Sequence, residues 1–389
     1  MNRDLHQLLR CPRCRQQLRL SIYEFGDTEQ EVSSGLFQCP CNAQFPIWRG
    51  VPRLLLSERG SWPSEFVHKF RDFLEKDAPE AVQSGALQGA VRGYSFDVEW
   101  SMYRYGQLTW ELDLATRVKY AYQYLQISEE MMEGKIVLDA GCGNGTLSAA
   151  LAASGLRIVA MDYSASVERA EAEKRRFAGA GGHRLDYVQG DLQHPPFAPE
   201  SFDAVYCDGV LHHTPDTYCS FQSVASLVKP KGRMFVWLYR SDLRSVYRLK
   251  SIIIRLLRSL MRVFPSWVVK ALCYAGATIL ETRLRILRAL GIGKRRIVPV
   301  WLKALNLYDT FTPRYNHQHT RSEVIAWFCE AGFPEAVETT IPSLGNMGFG
   351  ILGLRTLGNP WSHRAEPSAR PRRALPCDTL SHVPSSSNL

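Results

Sequence analysis

From residue 136 onward, short apolar runs alternate with stretches whose apolar residues recur every three or four positions. The runs at 136–140, 157–162, 184–190, 202–207 and 233–239 predict strands. The segments 145–153, 164–177 and about 217–228 between them predict helices. Runs apolar throughout, without polar alternation, belong to strands covered on both faces, so the pattern predicts a parallel sheet wound with helices on both sides. The rhythm resumes late in the chain. Thr320-x-x-Glu323 has the spacing of a capping box opening a helix. The runs 335–341 and 348–354 predict two further strands, close enough to pair antiparallel.

Three stretches depart from this rhythm. Residues 1–57 carry paired cysteines around a β-like segment, and 58–92 read as helix and linker before the core, 93–242, begins. Residues 243–310 form a helical, cationic insertion. Between Leu243 and Arg296, lysines and arginines are opposed only by Glu281 and are interleaved with Leu256, Leu260, Phe264 and Trp267. That is the composition of a basic amphipathic helix. Following the fifth strand, it falls at the carboxyl edge of the sheet, where open α/β folds bind ligands, and is expected to be a lid over an acceptor. A helical cap with a solvated basic face, or a nucleic-acid surface, would have the same composition. Residues 311–358 complete the core, and 359–389, rich in Pro, Ser and Arg, are expected to be disordered.

Composition adds little until it is localised. The 389 residues are 45% hydrophobic and 22% charged, as in ordinary globular proteins. The net charge of +9 permits an anionic partner. The first twenty residues are too polar for a signal peptide, and no uncharged apolar run is long enough to span a bilayer, so a cytoplasmic location is expected, with peripheral contact at the inner membrane face through 243–300. Four of the ten cysteines sit in close pairs, the usage of a metal site in a reducing compartment.

The chemistry centres on Val137–Gly145, VLDAGCGNG, which ends a strand and opens a helix. The dinucleotide fingerprint is Gly-x-Gly-x-x-Gly, with a pyrophosphate on the helix N-terminus. Here the spacing is Gly-x-Gly-x-Gly, and Asp139 stands two positions before it. A carboxylate there repels pyrophosphate and suits a cation, such as the ammonium of an amino-acid moiety. Asp162 ends the second strand, where an acid can accept from ribose hydroxyls. Asp191 ends the third, where one can accept from an adenine amino group. A tight βα turn alone would explain the glycines, but not the ordered acids.

With VLDAGCGNG, GDLQHPPF and SFDAVYCDGVLHHTPD in that order, the chain resembles the class I S-adenosylmethionine-dependent methyltransferases, in particular the ubiquinone and menaquinone biosynthesis C-methyltransferases. The resemblance covers about 93–240 and 310–357. It implies a Rossmann-like seven-stranded sheet with the cationic insertion after the fifth strand. It places Asp139, Gly141 and Gly143 along the methionine part, Asp162 at the ribose, and Asp191 with Leu192 at the adenine. Cys142, read as a packing residue of the loop, Tyr163 and Asp208 complete the cofactor-contacting set.

His212 and His213 follow the fourth strand near the expected sulfonium and are candidate proton acceptors; capping and packing are the plainer roles. The Asn/Asp-Pro-Pro-Tyr motif of amino-methylating enzymes is absent. Tyr315–His319 is a second polar cluster, read as acceptor pocket or solvated loop. Phe96, Trp100 and Tyr103 share helical spacing; such a stripe is either core or, as the resemblance implies, a segment closing over the cofactor.

Cys11, Cys14, Cys39 and Cys41 offer four thiolates, enough for a closed structural zinc site. Their surroundings resemble the zinc-ribbon activator subunit of tRNA and release-factor methyltransferases, although Cys39-Pro-Cys41 is one residue tighter than the usual pair. The expected function is methylation, at oxygen or carbon, of a small-molecule or lipid-linked acceptor. An RNA methyltransferase, with ribbon and basic block gripping phosphates, and a non-catalytic cofactor-binding scaffold are the alternatives.

Overall fold

The structure, a computed structural model, describes residues 1–56, 62–79, 95–103, 112–241, 254, 256–261, 263–292, 297–339 and 347–357. The expected disordered tail, residues 58–61 and 80–92 of the linker and the start of the cationic insertion lie outside them.

The apolar runs form strands β5 (Ile136–Ala140), β6 (Arg157–Asp162), β7 (Leu185–Gly190), β8 (Phe202–Asp208) and β9 (Val228–Tyr239). They pair in parallel in the order β7-β6-β5-β8-β9. β11 (Gly348–Leu354) lies antiparallel on β9, and β10 (Val337–Glu338) antiparallel on β11. The run expected over 335–341 thus contributes a two-residue strand among the described residues.

Successive strand residues face opposite sides, so each strand feeds two cores. Leu138, Val159 and Met161 face one, with Phe221 and Phe328 from the helices α7 (Thr217–Ala225) and α10 (Arg321–Glu330). Val137, Ile158 and Ala160 face the other, with Leu147 of α5 (Thr146–Ala153), Tyr124 of α4 (Leu114–Leu125) and Val167 of α6 (Ser166–Ala178). Side-chain caps start several of these helices: Asp113 accepts from Thr116 N at 2.7 Å and Asp216 from Cys219 N at 2.9 Å. The capping box at Thr320 and Glu323 is formed reciprocally.

The N-terminal strands β1 (Arg19–Phe25), β2 (Val32–Gln38), β3 (Gln44–Trp48) and β4 (Val51–Leu54) form an antiparallel meander. It does not stand apart. β4 pairs in parallel with β7, through Arg53 opposite Gln189 and Leu54 opposite Gly190, making one eleven-stranded sheet. Leu5, Leu9, Phe37 and Ile47 share a core cluster with Val159 and Phe197. Arg10 N donates to Pro196 O at 2.9 Å and Ala198 N to Leu8 O at 2.8 Å. Asn2 binds the Asp186 carboxylate through its backbone N–H at 2.6 Å and its amide at 3.0 Å, and Arg53 pairs with Glu168. The meander thereby covers the β7 edge, which would otherwise expose unpaired backbone groups. Two short helices, α1 (Ser64–Lys69) and α2 (Arg71–Asp77), pack Phe66, Phe70 and Leu74 on Trp48 and Leu36.

Over the carboxyl ends of β5 to β9 lie α3 (Ser95–Met102), α8 (Ser266–Ala289) and α9 (Val300–Phe311). Met102 and Tyr103 pack with Val269, Cys273 and Ala277 of α8 and Leu302, Leu305 and Tyr308 of α9. No helix among the described residues is long and apolar enough to cross a membrane.

Candidate functional site

The glycine loop turns through left-handed backbone at Gly141 (φ +92°), Gly143 (φ +58°) and Gly145 (φ +70°), conformations that L side chains rarely adopt. Space forbids side chains as well. A Cβ at Gly141 would lie 2.4 Å from Val210, and one at Gly143 2.4 Å from the Trp100 ring. The loop is tied to the neighbouring strand: Gly141 N and Cys142 N both donate to Met161 O, at 2.7 and 3.0 Å.

Asp162, at the end of β6, is brought directly under this loop. Its Oδ2 accepts from Gly143 N at 2.8 Å, and its Oδ1 from Ser164 N at 2.8 Å and Ser164 Oγ at 2.6 Å. Burial raises its pKa against the pull of those N–H and O–H donors. Asp139 is buried at the end of β5, accepts from Ser148 Oγ at 2.6 Å, and is pushed up to about 6 by burial. Cys142 is half-buried against the core, and burial raises its thiol well above the ordinary range, which fits a packing role. The Tyr163 carbonyl accepts from Gln189 Nε2 at 3.1 Å.

Asp191 stands at the end of β7, where its carboxylate accepts from Gln193 N at 2.9 Å and so shapes the turn; Leu192 beside it is buried. This turn, Asp191–Phe197, is the one the N-terminal meander grips, with Arg15 adding a bond to Pro195 O at 2.5 Å. Asp208 is exposed at the end of β8 and accepts from the Tyr206 hydroxyl at 2.9 Å.

His212 and His213 form a buried 3-10 turn after β8 with Leu211. His213 Nδ1 lies 2.9 Å from Tyr315 O, an acceptor only, so Nδ1 carries the proton and Nε2 is left with a lone pair. Burial lowers the His213 pKa to about 4. His212 has no hydrogen-bond partner at either ring nitrogen; its ring lies 4.1 Å from that of Tyr239, and burial with the neighbouring His213 pushes it well down. The 315–319 segment is seated here rather than in solvent. His317 N donates to His212 O, and His319 N to Tyr239 O, both at 2.9 Å.

The aromatic stripe of α3 combines the two roles open to it. Tyr103 is core, while Phe96 lies 5.3 Å from the His213 ring and Trp100 covers Gly143. Asp97 fastens this cover by accepting from Ala165 N at 2.7 Å. Sequence reading did not single out Glu99, Tyr239 or Asp309. Glu99 is 1% exposed with neither carboxylate oxygen hydrogen-bonded. The one available signal was an acid inside an aromatic helical stripe.

At the far edge the four cysteine sulfurs converge, all within 4.8 Å of one another. Cys11 and Cys41 Sγ are 3.7 Å apart, and Cys14 and Cys39 Sγ 3.2 Å. The tight second pair is accommodated by a turn in which Asn42 is left-handed (φ +62°) and Cys39 N donates to Ala43 O at 2.9 Å. The Gln16 N–H pulls the Cys14 thiol down to about 7, whereas burial raises Cys11 and Cys39.

Residues 138–236 match the family described as "Methyltransferase domain". The ubiquinone biosynthesis O-methyltransferase of Aliivibrio fischeri is 35% identical over 113 residues, 29% of this chain and 47% of that protein. Its Vibrio cholerae counterpart is 38% identical over 103 residues, 26% of this chain and 41% of that protein. The chain therefore spans less than half the length of these curated relatives. Among solved structures, magnesium protoporphyrin IX methyltransferase from Synechocystis, with bound SAH, is 17% identical with a TM-score of 0.41, over 74% of this chain and 99% of that one. The matched residues run from within β5 to within β9, the five parallel strands that build the site.

The His213 environment makes a signed prediction. Its folded pKa of about 4 lies below the ~6.5 of an exposed histidine. The unfolded chain therefore takes up a proton first as pH falls, and stability present above about pH 6.5 is lost toward about pH 4. His213→Asn keeps a donor for Tyr315 O but does not titrate. The thermal midpoint of wild type minus that of the variant should shrink steadily from about pH 7.5 to about pH 4.5. A difference independent of pH would overturn the buried neutral assignment.

Proposed function

We propose that the protein transfers a methyl group from S-adenosylmethionine to a small-molecule or lipid-linked acceptor, at oxygen or carbon. The observation that carries this reading is the Gly143 N–H held on the Asp162 carboxylate, beneath a left-handed glycine loop with Trp100 over it. Such a cradle is ringed by carboxylates that suit a cationic amino acid joined to a nucleoside. When bound, S-adenosylmethionine supplies an electrophilic methyl on a sulfonium. Asp139, Gly141, Cys142 and Gly143 would hold its amino-acid part, Asp162 and Tyr163 its ribose, and Asp191 with Leu192 its base, with Asp208 flanking. The acceptor would meet it below α3, α8 and α9, where His213 Nε2, left with a lone pair, would take a proton from a hydroxyl. His212, whose ring nitrogens have no hydrogen-bond partner among the described residues, would complete that wall. The ubiquinone O-methyltransferases among the relatives support the oxygen branch. Asp162→Ala should weaken S-adenosylmethionine binding by about 1–3 kcal/mol in calorimetry, and Gly143→Val should abolish it. Unchanged affinity in both would sink the reading.

The cysteine cluster fits a structural zinc ion. Tetrahedral ligation at about 2.3 Å spaces sulfurs by about 3.8 Å, close to the separations found, and four thiolates leave no open position for water. Purified protein should carry one zinc per chain. Cys11→Ser should release it and loosen the meander, read by elemental analysis and by protease sensitivity of residues 1–56. Metal-free wild type from a chelator-free preparation would contradict this.

The lid supports a cytoplasmic protein resting on the inner face of a membrane. Outward from α8 and its ends stand Trp267 (71% exposed), Ile279 (68%) and Ile286 (55%), with Arg283, Arg285 and Arg288 exposed beside them. Glu281, the one acid of this block, is buried and faces Lys303 at 3.6 Å. Arg258 is not part of that surface: its Nε donates inward to Thr310 O at 2.6 Å, a correction to the expectation that the basic residues share one outer face. Arg255 and Arg262 lie outside the described residues. The protein should float with anionic liposomes and not neutral ones, and Arg283→Glu, Arg285→Glu and Arg288→Glu together should release it, since each cation near an anionic surface is worth about 1 kcal/mol. Indifference to liposomes, with retention on structured RNA that falls steeply with salt, would replace the lipid reading by the RNA one. Cofactor binding without methyl transfer to any cell extract would favour the scaffold.

A further inference from the structure

Glu99 is the acid that the site does not explain. α3 crosses the carboxyl ends of the strands with each flank anchored: Phe96 on the His213 ring, Asp97 on Ala165 N, Trp100 over Gly143. Glu99 is carried inward by these contacts, to 1% exposure, and neither oxygen finds a donor. The charges that reach it most strongly are also negative, Asp309 from α9 and Asp162 from β6. Arg258, a cation within reach of Asp309, donates its Nε to Thr310 O. Burial and the two neighbouring acids raise the Glu99 pKa well above the ordinary range. A carboxylate desolvated among other carboxylates is destabilising unless a cation joins it. The helix that carries it also covers the glycine loop, so the missing cation has its place beside that loop.

We propose that Glu99 is the counter-charge for the sulfonium of S-adenosylmethionine. This rests on the methyl-donor reading above and sharpens it. Methyl transfer leaves the C–S bonding pair on sulfur as the new bond to the acceptor forms, and the acceptor's proton departs. The positive charge facing Glu99 is then gone, and the spent donor is a neutral thioether. Glu99 accordingly distinguishes the loaded donor from the spent one, holding the first and loosening the second. Asp139, Asp162 and Asp191 have no such selectivity, because they address groups that donor and product share.

Calorimetry on the full chain with S-adenosylmethionine, S-adenosylhomocysteine and sinefungin tests this, the last carrying an amine in place of the methylsulfonium. Glu99→Gln, which keeps shape and removes charge, should lower affinity for S-adenosylmethionine and sinefungin at least tenfold and for S-adenosylhomocysteine less than threefold. Ligand-free and near neutral pH, Glu99→Gln should melt higher than wild type, because folding the wild type must protonate a buried acid and the amide carries no such cost. Glu99→Asp, retaining the charge, should keep the wild-type preference within threefold and serves where the amide variant does not fold. Equal losses for all three ligands, or none, would overturn the proposal while leaving the methyl-donor reading intact. A wild type that binds none of the three would overturn both.

Discussion

The Gly143 N–H resting on the Asp162 carboxylate is the contact on which the site depends. It requires a loop that can turn left-handed three times, and an acid at the end of the adjacent parallel strand. Parallel pairing of β5 with β6 puts Asp139 opposite Ala160 and Ala140 opposite Met161, so the loop leaves one strand where Asp162 ends the next. The Met161 carbonyl then fixes the loop through Gly141 and Cys142, and Trp100 closes over it. None of these contacts is strong alone, since a net hydrogen bond contributes about 1 kcal/mol. Together they hold the loop and its carboxylates in a fixed, partly desolvated array.

The N-terminal meander extends the same logic to the other end of the site. By pairing β4 with β7 and bonding the Pro195–Ala198 stretch, it makes the turn after Asp191 part of a continuous sheet and core. A loop held at both ends by backbone bonds has little conformational entropy left to lose. The cysteine cluster lies within that gripping segment, so whatever stabilises the knuckles also stabilises the turn.

The lid is built from parts of opposite character. Its inner surface is aromatic, with Tyr103 and Tyr308 buried and Trp301 partly buried against them, while its outer surface exposes both apolar and cationic side chains. Between these helices and the sheet lie Glu99 and His212, without side-chain hydrogen bonds among the described residues, in a region where burial drives acids up and histidines down. Uncharged forms are favoured there in the absence of a counter-charge.

Local patterns determined much of this from the sequence alone. Apolar runs named the five parallel strands within a residue or two, because burial on both faces is a property of the run itself. The exception is β9, which begins five residues before the run at 233. The capping box at Thr320 and the left-handed glycines were legible for the same reason: each is decided by residues a few positions apart. Tertiary structure alone decided what lies between distant segments. It seated the 315–319 loop on the histidine turn, turned Arg258 inward to Thr310, joined the N-terminal meander to the β7 edge, and brought Glu99 toward Asp309. A buried group's partner, or its lack of one, depends on which remote segment packs against it, and periodicity along one segment carries no trace of that.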